Sequence, residues 1–198
     1  MKKIEVSVLI AFIFSIVLSN LLIFFEKYDK LKDSVIRVHI LANSNSKEDQ
    51  LLKYKIKDDV SSKISVLLKN TRNKDQAKKI ILDNIDYLKT LTRSKIKKNG
   101  YDYNIDIRLT KSYFTTRKYD GFVLPAGNYD AIKIIIGEGK GANWWCVAFP
   151  PMCSPVYNNN EKNKEILGSE QLEMITKPCN YKFAIIEFIE NIINHNNK

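Results

Sequence analysis

Several familiar frameworks are excluded by what this chain lacks. Its 198 residues hold three cysteines, too few for a disulfide scaffold. The two histidines, His39 and His195, leave little for a His-based metal centre. Of the 32 basic residues only five are Arg. Base readers and phosphate clamps depend on the planar guanidinium fork, so this shortage argues against specific nucleic-acid recognition. No internal repeat is visible. What the chain does have is a globular share of apolar residues, 44%, with ten Tyr, nine Phe and two Trp. That is enough to fill the core of one ordinary domain and excludes wholesale disorder.

The formal net charge is +10, and its location matters more than its sum. Between Lys47 and Lys118 there are 19 basic and 9 acidic side chains, and the rest of the chain balances. A Lys-rich segment of this kind reads as solvated helix faces, with an anionic membrane surface as the partner it would suit.

The longest apolar run decides the compartment. Met1-Lys2-Lys3 precedes Val6 to Phe25, which is interrupted only by Ser7, Ser15, Ser19 and Asn20. At about 1.5 Å per residue this run spans roughly 30 Å, the hydrocarbon thickness of a bilayer. Lysines ahead of it favour an inside N-terminus, so the remainder is exported. An uncleaved signal anchor and a signal peptide cut near Val17-Leu18-Ser19 both fit. Export makes nucleic acid an improbable partner and permits disulfides. The organisation expected is therefore a signal peptide or anchor over 1–26, a charged linker over 27–33 and an exported domain over 34–198.

Periodicity predicts the elements of that domain. Val35 to Leu41 is apolar and β-branched, a buried strand. Ser46 with Asp49 three residues on opens a helix whose apolar positions are Leu52, Ile56, Val60, Ile64 and Leu67. A second helix runs from Asn73 to Asn99-Gly100, with Ala77, Ile81, Ile85, Leu88 and Leu91 on one face. Tyr101 to Thr110 alternates in strict period two, a half-buried strand. Strands are also expected at Ala131–Ile136 and Trp144–Phe149, a polar mobile stretch at Asn158–Lys164, and an apolar closing helix after Pro178. Helices and strands in separate runs give an α+β domain, a mostly antiparallel sheet packed by a helical hairpin and a C-terminal helix.

No catalytic constellation emerges. Gly137-Glu138-Gly139-Lys140-Gly141 is not the GxxxxGK[ST] phosphate loop, and the residues after it read as strand, so hairpin glycines are the simpler account. His39 lies inside an apolar strand without a second histidine. Ser44 and Ser46 suit helix caps rather than a nucleophile elbow. Nothing calls for a cofactor or a metal. Cys146 and Cys153 stand apart, because a bend at Pro150-Pro151 brings their sulfurs within bonding reach. Closing that short loop is worth about 2.5 kcal/mol in the chain-entropy picture. Two buried free thiols remain the alternative. Trp144 and Trp145 beside a Gly-rich loop suit either a core or an interface anchor.

Two stretches carry a resemblance. Ile36-Arg37-Val38-His39-Ile40-Leu41-Ala42-Asn43-Ser44 leads into Glu48-Asp49-Gln50. Leu124-Pro125-Ala126-Gly127-Asn128-Tyr129 runs through the Gly-rich loop to Asn143-Trp144-Trp145-Cys146 and Phe149-Pro150-Pro151-Met152-Cys153. Together they resemble the stage II sporulation protein R family. The resemblance implies an exported signal, made in the forespore, that triggers a membrane-embedded aspartic protease of the mother-cell membrane to cleave the sigma-E precursor. It implies a ligand and not an enzyme. The contact surface expected is the edge containing Gly137, Glu138, Gly139, Gly141, Trp144 and Trp145. An exported or anchored hydrolase using Glu138 or His39, and an envelope structural protein lying on anionic membrane, are the competing readings.

Overall fold

A computed structural model of the chain describes residues 2–152 and 160–196. Its first element, α1 (Lys2–Ser34), is one unbroken helix of 33 residues. No Pro or Gly interrupts it, and the apolar run leaves nothing to stop propagation. Its N-terminal two-thirds is long and apolar enough to cross a membrane, and those side chains are exposed. From Phe24 onward one stripe is buried: Phe24, Tyr28 and Leu31, at the i, i+4, i+7 spacing of a helix face. The stretch 27–33 is thus helix packed on the domain and not a linker. Its charged residues lie to the outside of the stripe that Tyr28 and Leu31 supply.

A four-stranded sheet forms the centre, in the order β2 (Ile105–Phe114), β5 (Gly127–Ile136), β1 (Ile36–Leu41), β6 (Asn143–Phe149). β1 pairs parallel with β5 and antiparallel with β6, and β2 pairs antiparallel with β5. A separate hairpin, β3 (Arg117–Tyr119) and β4 (Phe122–Leu124), turns at Asp120-Gly121. The period-two register sorts β1 into two faces: Ile36, Val38 and Ile40 on one, Arg37, His39 and Leu41 on the other.

The first face packs against α2 (Lys47–Leu67), α3 (Lys74–Asp83) and α4 (Ile85–Lys98). Leu52, Ile56, Val60, Ile64, Ala77, Ile81, Leu88 and Ile96 meet Ile132, Ile134 and Ile136 in one core. The second expected helix is therefore two, broken at Asn84, which caps α3. The Asn84 amide donates to the Ile80 carbonyl at 2.8 Å, the kind of local bond by which Asn competes with helix. The second face is covered in part by the β3–β4 hairpin, the end of α1, and α5 (Asn160–Leu167), α6 (Ser169–Thr176) and α7 (Asn180–Asn196). Of the expected mobile stretch, residues 160–164 are helical, and residues 158–159 lie outside the described residues. The β2 strand begins four residues later than the alternation suggested, because Tyr101 and Tyr103 stack on each other at 5.2 Å instead of joining the ladder.

Candidate partner-binding face

β5 and β6 are not neighbours, so the chain between Ile136 and Asn143 has to cross the end of β1. That crossing explains the glycines. Gly137 and Gly139 adopt φ of +59° and +64°, a region that favours glycine. A Cβ at Gly137 would run into the Asn43 side chain, and one at Gly141 into the Ser44 carbonyl. The loop amides are spent on the protein itself. Glu138 N–H donates to Asn43 Oδ1 at 3.0 Å and Ala142 N–H to Asn45 Oδ1 at 2.7 Å. Lys140 and Gly141 N–H donate to the Asn43 and Ala42 carbonyls. A phosphate would find these donors already engaged.

The N-terminus of α2 holds the other side of this junction. Ser46 Oγ accepts from Asp49 N–H at 3.1 Å, as the capping pattern predicts. Asp49 in turn accepts from Asn43 Nδ2 at 2.8 Å and Ser44 Oγ at 2.6 Å. Burial alone would raise the Asp49 pKa, but hydrogen bonds from Ser44, Asn43 and Tyr103 outweigh it and hold the carboxyl below its usual range. Buried Lys53 reaches Gln50 Oε1 at 2.7 Å and the Ala142 carbonyl at 3.0 Å, and desolvation lowers its pKa. Ser44 and Ser46 are thus caps and clamps.

The two tryptophans do not form one patch. Trp144 lies on the helix-covered face, with the Lys57 ammonium 5.5 Å from its ring. Trp145 lies on the opposite face, where register aligns Arg108, Lys133, His39 and Trp145 across all four strands. His39 stacks on Trp145 with centroids 4.0 Å apart, and Phe114 meets the same ring edge-on at 4.9 Å. The Arg117 guanidinium lies 5.2 Å from the Trp145 centroid. Burial pulls the His39 pKa below its ordinary 6.5, so the ring is neutral at pH 7. Its Nε2 sits 2.7 Å from Asn143 Oδ1, which accepts if Nε2 carries the proton. One step along β1, Arg37 is fully buried, 3.9 Å from the Phe114 ring and bonded to Tyr119 OH at 2.7 Å. Among the described residues its Nε and Nη1 have no hydrogen-bond partner.

The face therefore combines packed aromatic rings with three cations, Arg108, Lys133 and Arg117, beside a loop whose amides are hydrogen-bonded within the protein. Such a surface suits contact with a polar or acidic protein segment. The pattern of one protein family, stage II sporulation protein R, matches residues 32–159, which include the loop and every residue of this row. The chain belongs to the stage II sporulation protein R family. The stage II sporulation protein R of Bacillus subtilis (strain 168) is 39% identical over 135 residues, 68% of this chain and 60% of that relative's length. No solved structure matches the chain. Family membership supports a sporulation role for the chain.

Of the contact residues expected for this family member, the structure places Gly137, Gly139 and Gly141 inside the junction as packing elements. Glu138 is at the exposed tip, paired with Lys140 at 2.7 Å. Trp145 belongs to the face and Trp144 to the far side of the sheet. Among the described residues no group of three His, Cys, Asp or Glu side chains could hold a metal ion. Cys146 is buried, and its expected bond to Cys153 falls on a residue outside the described set; Cys179 is a free thiol. Sequence reasoning missed Arg37, Arg108, Arg117 and Lys133. Two of them had a visible signal: Arg108 occupies a polar position of an alternating strand, and Arg37 interrupts an apolar one.

Proposed function

We propose that this chain is the exported signal of a sporulation pathway, made in the forespore and acting by contact on a membrane-embedded aspartic protease that then processes the sigma-E precursor. The observation that carries the reading is the Arg108–Lys133–His39–Trp145 row with Arg117 above it, an aromatic and basic face set beside a loop whose own polar groups are internally engaged. Family membership and the membrane-length segment of α1 support it. A hydrolase built on Glu138 or His39 gains nothing from their surroundings, since Glu138 pairs with Lys140 and His39 with the Asn143 amide. We include a Cys146–Cys153 disulfide in the proposal. Alkylation of the unfolded, unreduced chain should then modify Cys179 alone; three modified thiols would rule the bond out.

The experiment is co-expression of the full chain with the protease and the sigma precursor. Processing is expected to require the chain, and to be lost with Trp145→Ala protein that is still exported and folded. Processing that proceeds equally without the chain contradicts the proposal.

A further inference from the structure

The way α1 enters the domain fixes what lies at the membrane surface. Phe24 packs on Phe183 with centroids 6.3 Å apart, and farther along α1 Tyr28 OH donates to Glu190 at 2.7 Å. Both contacts advance in the same direction, so α7 runs parallel to α1 with its N-terminus toward the apolar segment. The α6–α7 corner thus stands level with residues 20–24, where an apolar span beginning at Ile4 has covered about 30 Å. A cavity of about 340 Å³ opens there, lined by Ile23, Phe24 and Met174, by three lysines, Lys27, Lys177 and Lys182, and by two carboxylates, Glu170 and Glu173. Lys27 pairs with Glu170 and Lys177 with Glu173, at 3.5 and 3.3 Å. Lys182 makes no ion pair among the described residues; its ammonium lies 5.0 Å from the Phe24 ring. Beside it Tyr181 is 65% exposed, an aromatic side chain at the depth where interfacial belts form.

We propose that this cavity binds the phosphate headgroup of an anionic phospholipid, with Lys182 as the principal cation and Ile23 and Phe24 against the acyl chain. The inference rests on the anchored reading of α1. Its consequence is that the domain is held on the bilayer at one orientation, with α7 rising from the surface.

The test uses the full chain in nanodiscs, with a fluorophore on Tyr181→Cys in a Cys179→Ser background. Brominated phosphatidylglycerol should quench it more strongly than brominated phosphatidylcholine. Lys182→Gln should weaken that preference about fivefold, the worth of one lysine at an anionic surface. Equal quenching by both lipids, unchanged by Lys182→Gln, overturns the site. So does a silent Tyr181→Cys probe when a probe on Phe12→Cys is quenched by chain-brominated lipid. If the Phe12→Cys probe is silent too, α1 is not in the bilayer and the anchored reading falls together with the site.

Discussion

Gly141 and Gly100 are glycines for different reasons, and their substitution separates two costs. At Gly141 an added carbon meets the Ser44 carbonyl, which cannot move without breaking the loop-to-β1 junction. Gly100 has φ of +83° and open space around its Cβ direction. Gly100→Ala should cost about 1–2 kcal/mol, the left-handed conformation alone. Gly141→Ala should cost up to about 3 kcal/mol through overpacking, and should also loosen the crossing loop. Denaturant unfolding with amide exchange at residues 138–142 reads both, and an unaffected loop in Gly141→Ala would argue against the junction. His39 gives a pH signature. Its folded pKa is depressed, so the unfolded chain binds more protons just below pH 6.5 and stability falls as pH drops through that value. Asp49 and Asp130 are also depressed, and the stability they add is lost only as pH falls below the ordinary carboxylate value of 3.8. The melting temperature should therefore decline between pH 7 and 5, and His39→Gln should flatten that decline; an unchanged slope would mean His39 is not its source.

At the scale of elements, the sequence reading succeeded where one periodicity ran uninterrupted. β1, α2 and the closing helix α7 were legible from apolar spacing, and the α2 start from Ser46 and Asp49. It failed where tertiary contacts decide. Residues 27–33 look like a charged linker because five of seven are ionic, yet Tyr28 and Leu31 at the right spacing weld the stretch to the core. Only the partners, Glu190 and the Ala126 carbonyl for Tyr28, make that visible. The β3–β4 hairpin was missed although Asp120-Gly121 is a strong turn signal, because its three-residue strands are too short to show alternation. The candidate face was half legible. The Gly-rich loop and Trp145 stand out in the sequence, but the basic neighbours of Trp145 come from other strands, Arg108 and Lys133 through sheet register and Arg117 through the separate β3–β4 hairpin. The α1 boundary has a direct consequence. A chain starting at Asn20 should fold stably, whereas one starting at Asp33 loses Phe24, Tyr28 and Leu31 and should aggregate. In the full chain Leu31→Ala should cost about 2–5 kcal/mol. Equal melting temperatures for the two truncations would contradict the assignment of α1 to the core.

Across the whole molecule, the charge excess and the candidate site separate. Apart from buried Lys53, the Lys residues of α2, α3 and α4 lie toward the outside of the first layer, while the aromatic and basic row lies on the opposite face of the sheet. One sheet thus carries a solvated lysine surface behind it and the candidate contact face in front, and both are joined to the membrane-length helix α1. The central claim is that the front face meets the protease, and position-specific photo-crosslinking in sporulating cells tests it most directly. A crosslinker replacing Arg108, which is exposed on the front, should capture the protease. One replacing Lys79, exposed on the outer face of α3, should not. Capture from Lys79 and none from Arg108 would place the contact on the lysine surface and contradict the account.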